Sequence, residues 1–206
     1  MDKKVESFLG GPKHLFEIAG EKTFDLLNSL GMCETSKVLD IGCGFLRIGA
    51  TLIKFLNKKS YFGIEPAERM TEEGMDTLLS KEDLIKKQPT FDFNKNYDLS
   101  CFNRKFDFFI LRSVWTHCAK KDILSILDQF VELSNPGGKL LASIIKDENN
   151  PTLVKKGDYM GETWEDAVIY HSIEWIEKEC LKRNLKYGFS VDHNFGQQEW
   201  FIVSKQ

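Results

Sequence analysis

The stretch Val38–Gly49, Val-Leu-Asp-Ile-Gly-Cys-Gly-Phe-Leu-Arg-Ile-Gly, constrains this chain more than any other. It opens as a buried strand in which Val38, Leu39 and Ile41 carry the apolar run. Gly42-Cys43-Gly44 then calls for a sharp turn. From Leu46 the apolar period becomes helical, with Ile48, Leu52, Phe55 and Leu56 on one face. Strand, glycine turn and helix, in that order, make a nucleotide-type cofactor site. Missing Cβ atoms let a ligand approach backbone N–H groups. The helix start is expected to add unpaired donors and a positive dipole end.

Spacing separates one cofactor from another. A dinucleotide fingerprint needs a third glycine three residues after the second, where it serves pyrophosphate. That position is Arg47 here, and the next glycine is Gly49. A carboxylate, Asp40, also precedes the first glycine, and an anion there suits a cationic ligand better than a pyrophosphate. Asp40-Ile41-Gly42-Cys43-Gly44 at the end of a first strand resembles motif I of the class I S-adenosylmethionine-dependent methyltransferases. The resemblance lays the glycine turn against the amino-acid part of the cofactor. It implies cofactor contacts from Asp40, Gly42, Cys43, Gly44 and Phe45.

Composition bounds the alternatives. At 206 residues the chain fits one well-cored domain, with an N-terminal helical cover over 1–31. A net charge of -3 argues against an extended nucleic-acid surface. No apolar run approaches the ~20 residues needed to span a membrane. The N-terminus leads into no signal-type segment, so a cytoplasmic protein is expected. The 5 cysteines are scattered, without a Cys-x-x-Cys pair, and read as free thiols. No metal site is expected from them or from the 4 separated histidines.

Along the chain, Phe16, Ala19, Phe24, Leu27 and Leu30 predict a helix ending at Gly31 and kinked at Gly20. Ser60–Glu65 is the second strand. Glu65 stands at its end, where an acid can accept both ribose hydroxyls. Pro66 opens a helix whose Met70, Gly74, Met75 and Leu78 form a core stripe. Lys81–Gln88 reads as a solvated connection and Thr90–Phe93 as a third strand. Phe106–Leu111 is the fourth, and its C-terminal end leads into Arg112-Ser113-Val114-Trp115-Thr116-His117, which should line a ligand crevice. Lys120–Leu133 is a helix, Asn135–Gly138 a turn and Lys139–Ile145 a fifth strand. The pattern lapses over 146–171, a long aromatic-bearing stretch read as a substrate lid. Ser172 caps a helix carrying Ile173, Ile176 and Cys180. Leu185, Tyr187, Phe189 and Val191 alternate as a strand, and Trp200–Val203 closes the chain as another. The whole is an α/β fold: a doubly wound, mainly parallel seven-stranded sheet with an antiparallel C-terminal hairpin and helices on both faces.

This order matches the class I methyltransferase plan over its full length. It is most similar to small bacterial members carrying Asp-x-Gly-Cys-Gly-x-Leu-Arg-x-Gly and Ser-Val-aromatic-Thr-His, here Asp40–Gly49 and Ser113–His117. The resemblance implies S-adenosylmethionine as cofactor and S-adenosylhomocysteine as product. The acceptor it suggests is a small molecule, with an oxygen of a metabolite or glycan precursor as the methylated atom. An acid past the third strand meets the adenine amino group in this family. Asp98, with Leu99 beside it, is the choice here, and Asp92 the alternative. Arg112 and Ser113 complete the cofactor set. For a protonated acceptor His117 is the candidate general base, with His171 second. The Thr116-His117 pair would otherwise cap a helix or fill core. No Asn-Pro-Pro-aromatic follows the fourth strand, which disfavours exocyclic amino methylation. An aminopropyl transferase on the same fold, or a cofactor-binding protein without catalysis, are the competing functions.

Overall fold

A computed structural model describes residues 13–145, 152–159, 162–169, 171–190, 192–194 and 198–205. The strands in chain order are β1 (Val38–Ile41), β2 (Tyr61–Ile64), β3 (Thr90–Asp92), β4 (Phe106–Leu111), β5 (Ser134–Ile145), β6 (Thr152–Tyr159), β7 (Glu162–Ile169), β8 (Leu185–Phe189) and β9 (Gln198–Lys205). The helices are α1 (Lys13–Ser29), α2 (Gly49–Phe55), α3 (Glu68–Leu78), α4 (Lys81–Lys87), α5 (Lys120–Leu133) and α6 (Ile173–Lys182). A single 3₁₀ turn covers Leu99–Phe102.

One seven-stranded sheet runs β3-β2-β1-β4-β5-β9-β8. β1 to β5 pair in parallel, and β9 enters antiparallel between β5 and β8. This is the expected fold class. The sheet is buried on both faces, which is why its central strands read as near-continuous apolar runs. Leu39 and Ile41 point to a layer closed by Ile123, Ile126, Leu127 and Phe130 of α5 and by Ile176 and Cys180 of α6. Val38, Tyr61, Phe108 and Ile110 point the other way, onto Leu26 and Leu27 of α1 and Leu52 and Ile53 of α2. Asp107, the charge within β4, sits at the sheet's lower rim. Its two oxygens accept the Lys37 N–H at 2.6 Å and the Asn135 side-chain amide at 2.7 Å.

Several local expectations are corrected. Lys81–Lys87 is a helix, held by a capping box in which Ser80 Oγ accepts the Asp83 N–H and Asp83 accepts the Ser80 N–H, each at 3.0 Å. It buries no residue, so no apolar stripe announced it; the Ser-x-x-Asp pattern did. α1 is continuous through Gly20. A Cβ there would come 2.9 Å from the Arg47 carbonyl oxygen, so this glycine serves close approach to the β1–α2 turn. α2 starts only at Gly49, after a turn in which Leu46 holds a positive φ of 60°. The stretch expected to lack a pattern contains β6 and β7, paired antiparallel from Thr152↔Ile169 to Tyr159↔Glu162. The break expected at 10–12 lies outside the described residues. So do 146–151, 160–161 and 170 of the expected lid, Val191 of the alternating strand, and 195–197 before the last strand.

Candidate functional site

Strand order reverses between β1 and β4, the switch point at which open α/β sheets leave a crevice at their strands' C-terminal ends. A cavity of about 490 Å³ lies there. Its wall takes Ile41 from the end of β1 and Gly42 just after it, Ile64 from the end of β2 with Glu65 and Pro66 beyond it, Met70 from α3, and Asn94, Lys95 and Tyr97 from the loop after β3. Arg112, Ser113, Val114 and His117 close it from the segment after β4. The volume falls in the range of small-molecule and cofactor sites.

The glycine turn is built differently from the expectation. Gly42 holds φ +70° and Gly44 φ +52°, and a Cβ on Gly42 would meet Val114 Cγ2 at 2.6 Å. The glycines therefore allow the left-handed backbone and the close packing of the β4 end. Their N–H groups bond within the fold. Gly42 and Cys43 both donate to the Ile64 carbonyl, at 2.7 and 3.1 Å, and Gly44 donates to Glu65 Oε2 at 3.0 Å. The turn is thus tied to the end of β2. Glu65 completes the tie through Oε1, which accepts the Ala67 N–H at 3.0 Å. Burial raises the Glu65 carboxyl, while these two backbone hydrogen bonds lower it.

Of the residues chosen from sequence, the structure brings Gly42, Glu65, Arg112, Ser113 and His117 to the cavity wall. Asp40, Cys43, Gly44, Phe45, Asp98 and Leu99 stand elsewhere. Asp40 is buried behind the turn, where it accepts the Tyr61 hydroxyl at 2.8 Å. Cys43 turns its thiol inward, 3.8 Å from Thr71 Oγ1. Phe45 packs edge-on against Phe16 of α1. Asp98 caps the 3₁₀ turn, accepting the Ser100 N–H and hydroxyl at 2.9 and 2.6 Å. Leu99 is fully buried. Asp92 is engaged by Asn94, whose backbone and side-chain amides donate to Oδ1 at 2.9 and 2.6 Å. Both acids shape the loop that presents Asn94, Lys95 and Tyr97 to the cavity. His171, the second histidine, bonds the Cys118 carbonyl through Nε2 at 3.0 Å.

Sequence reading missed Met70, Pro66 and the Asn94–Tyr97 loop. Met70 was assigned to the core, yet it lines the cavity and its sulfur lies 3.3 Å from where a Gly44 Cβ would be. The signal available was positional: each follows the C-terminal end of a parallel strand, as Glu65 and Arg112 do.

The segment after β4 is held firmly. Ser113 has φ +58°, costly for a residue with a Cβ. Its N–H donates to Ser143 Oγ at 2.6 Å and its hydroxyl to Gln198 Oε1 at 2.9 Å, fixing it to β5 and β9. Thr116 Oγ1 donates to the Ser113 carbonyl at 2.9 Å. Arg112 lies over the Trp200 ring at 5.6 Å and donates to Thr23 Oγ1 of α1 at 3.4 Å. Burial, then the nearby Arg47 charge, lowers its guanidinium to about 10. Among the described residues no group of three His, Cys, Asp or Glu side chains could hold a metal ion, and no helix is long and apolar enough to cross a membrane.

Comparison with known proteins bears on this geometry. A methyltransferase of Schizosaccharomyces pombe, itself uncharacterized, is 26% identical over 109 residues, covering 51% of this chain. The curated relatives that match are longer proteins, and the matched regions span 41% and 38% of their lengths. An S-adenosylmethionine-dependent methyltransferase from Clostridium acetobutylicum superposes with a TM-score of 0.70 at 14% identity, covering 92% of this chain and 91% of its own. A magnesium protoporphyrin IX methyltransferase from Synechocystis, solved with bound S-adenosylmethionine, gives a TM-score of 0.61 at 17% identity over 91% of this chain and 80% of its own. The seven-stranded sheet described above is the fold of these enzymes. The family described as a methyltransferase domain matches residues 15–194, nearly the whole sheet and both helical layers. The chain belongs to that methyltransferase family.

Proposed function

We propose that this chain transfers the methyl group of S-adenosylmethionine to an oxygen of a small-molecule acceptor. The observation that carries the reading is one cavity in which Gly42, Glu65 and His117 meet at the sheet's switch point. The cofactor fits this chain on its own geometry: a Cβ-free turn residue and a half-buried carboxylate share the wall of a cavity of adequate volume. Glu65 retains lone pairs beyond its two backbone bonds, and these would accept the ribose hydroxyls. Asn94, Lys95 and Tyr97 wall the far side, where the base would rest. Arg112 offers a cation to a carboxylate. The cofactor supplies an activated methyl on a sulfonium.

The protein's task is then to align an acceptor atom behind that methyl and exclude water. His117 stands on the cavity wall with an exposed side chain. Imidazole is a base near neutral pH, and one of its ring nitrogens takes the hydroxyl proton as the oxygen attacks. The β6–β7 hairpin returns to the body of the protein at His171, whose bond to the Cys118 carbonyl lies one residue from His117. That anchorage supports the hairpin as the cover of the acceptor.

The test is turnover with S-adenosylmethionine and a panel of small hydroxylated metabolites and glycan precursors. The expected product carries one added methyl as a methoxy group, read by mass and carbon NMR. A product methylated on nitrogen refutes the oxygen assignment and leaves the cofactor assignment standing.

A further inference from the structure

We propose that Tyr61 is a positioning residue for the cofactor site: its buried hydroxyl donates to Asp40 and fixes that carboxyl beneath the glycine turn, and Gly49 is the gap that lets it do so. The inference rests on S-adenosylmethionine being the cofactor.

Strand register brings Tyr61 to Asp40. Asp40 pairs with Gly63 of β2 and with Ile110 of β4, and Tyr61 lies two residues before Gly63 on the same sheet face. A diagonal neighbour at that spacing is within reach of a long side chain. Tyr61 Oη donates to Asp40 Oδ2 at 2.8 Å, and each residue is 2% exposed. One glycine clears the route: a Cβ on Gly49 would stand 2.4 Å from Tyr61 Oη. The glycine at 49, out of place for a dinucleotide fingerprint, is thus the space occupied by a tyrosine hydroxyl.

A buried carboxyl gives up its proton only where a partner offsets the cost of burying the charge. The titratable groups facing Asp40 are Tyr61 from β2, the Cys43 thiol from the turn and Glu65 from the end of β2. α2 presents Gly49 and β4 presents Ile110, neither of which titrates, and α3 reaches the cluster through Thr71 on the Cys43 sulfur. Burial raises the Asp40 carboxyl, the Tyr61 hydrogen bond lowers it and the Glu65 charge raises it, to about 7. Without the hydroxyl, burial and Glu65 act unopposed and Asp40 stays neutral at neutral pH. Its charge matters for selectivity. S-adenosylmethionine and S-adenosylhomocysteine share their carboxylate and amino groups and differ in the fixed positive charge on sulfur. An anion two residues from Gly42 favours the charged ligand and is nearly indifferent to the neutral thioether.

The experiment is calorimetric titration of both ligands into the full chain from pH 6 to 9. Wild type, Tyr61→Phe and Asp40→Asn are compared, with thermal melts as the folding control. In the wild type, affinity for S-adenosylmethionine relative to S-adenosylhomocysteine should rise with pH through about 7. In Tyr61→Phe that rise should move to higher pH, leaving the sulfonium ligand severalfold weaker than in the wild type near pH 7.5. Asp40→Asn keeps a hydroxyl acceptor and should make the ratio independent of pH. Gly49→Ala should reproduce the Tyr61→Phe effect and add little to it in the double variant. Equal weakening of both ligands at every pH, or an unmoved ratio in Tyr61→Phe, overturns the inference while leaving the cofactor assignment intact. A pH-dependent ratio in Asp40→Asn overturns it even if Tyr61→Phe fails to fold. A wild type that binds neither ligand removes the cofactor assignment and this inference together.

Discussion

Removing the Glu65 carboxylate should loosen the site on both of its sides at once. Its two oxygens each accept one backbone N–H at 3.0 Å, from Gly44 in the turn and from Ala67 ahead of α3. Hydrogen bonds to a charged acceptor contribute about 1.5–3 kcal/mol each. Glu65 is only half-buried, so water replaces part of that loss, and the low end of the range applies to each bond. Glu65→Ala should therefore lower the unfolding free energy by about 2–3 kcal/mol. If Glu65 accepts the ribose hydroxyls as proposed, binding senses a further loss, because those contacts disappear and the turn must be reordered when the ligand arrives. A deficit of about 1.4–2.7 kcal/mol corresponds to a dissociation constant raised by about 10- to 100-fold. Glu65→Gln keeps one acceptor oxygen but turns an amide donor toward the second N–H, so its loss should be intermediate. Calorimetric titration with S-adenosylmethionine, paired with denaturant unfolding, reads both quantities. A Glu65→Ala protein that is destabilised but binds with wild-type affinity would show that Glu65 braces the turn and does not touch the ribose.

His117→Ala should bind cofactor normally and lose turnover on a hydroxyl acceptor by ~10²–10⁴-fold, as expected for a missing general base; recovery of most activity in His117→Asn would reassign it to substrate orientation. Asp40 predicts a pH-dependent stability difference. Its carboxyl is raised in the folded protein to about 7 from an ordinary 3.8, so the native state holds the proton that the unfolded state has released. Stability therefore falls as pH rises between those values, and thermal melts of Asp40→Asn should match wild type near pH 4 and exceed it increasingly up to pH 7 to 8. The β6–β7 hairpin should gain amide protection when cofactor and acceptor are both bound, measured by hydrogen exchange; identical exchange in every state would remove it as a cover.

Sequence periodicity was enough for the sheet because its parallel strands are buried on both faces and leave uninterrupted apolar runs at β1, β2 and β4. Glu65 and the segment Arg112–His117 were equally legible, since a strand's C-terminal end faces the crevice whatever its side chains. Asp98 was not, because an aspartate next to a loop serves as a ligand contact or as a cap with the same residue type. The choice is made by Asn94, which gathers Asp92 and the Asp98 backbone into one loop and takes the cavity position itself. The N–H groups of the glycine turn were misread for a related reason. Glycine permits a left-handed turn, but which carbonyl that turn meets depends on β2, whose Ile64 accepts two of the N–H groups. The Tyr61–Asp40 bond could not be read at all. It requires the strand register and the empty volume at Gly49, and neither is a property of local sequence.

On the proposed function, the cavity between Gly42, Glu65 and His117 holds S-adenosylmethionine. A single calorimetric titration of the full chain tests it, with Gly42→Val as the blocked control. The added side chain would drive into Val114, from which even a Cβ stands only 2.6 Å away, at a backbone φ of +70°. The wild type should bind one equivalent of S-adenosylmethionine per chain, and a Gly42→Val protein that retains its fold should bind none. A folded wild-type chain that gives no heat with S-adenosylmethionine or S-adenosylhomocysteine, yet responds to NAD, would contradict the account.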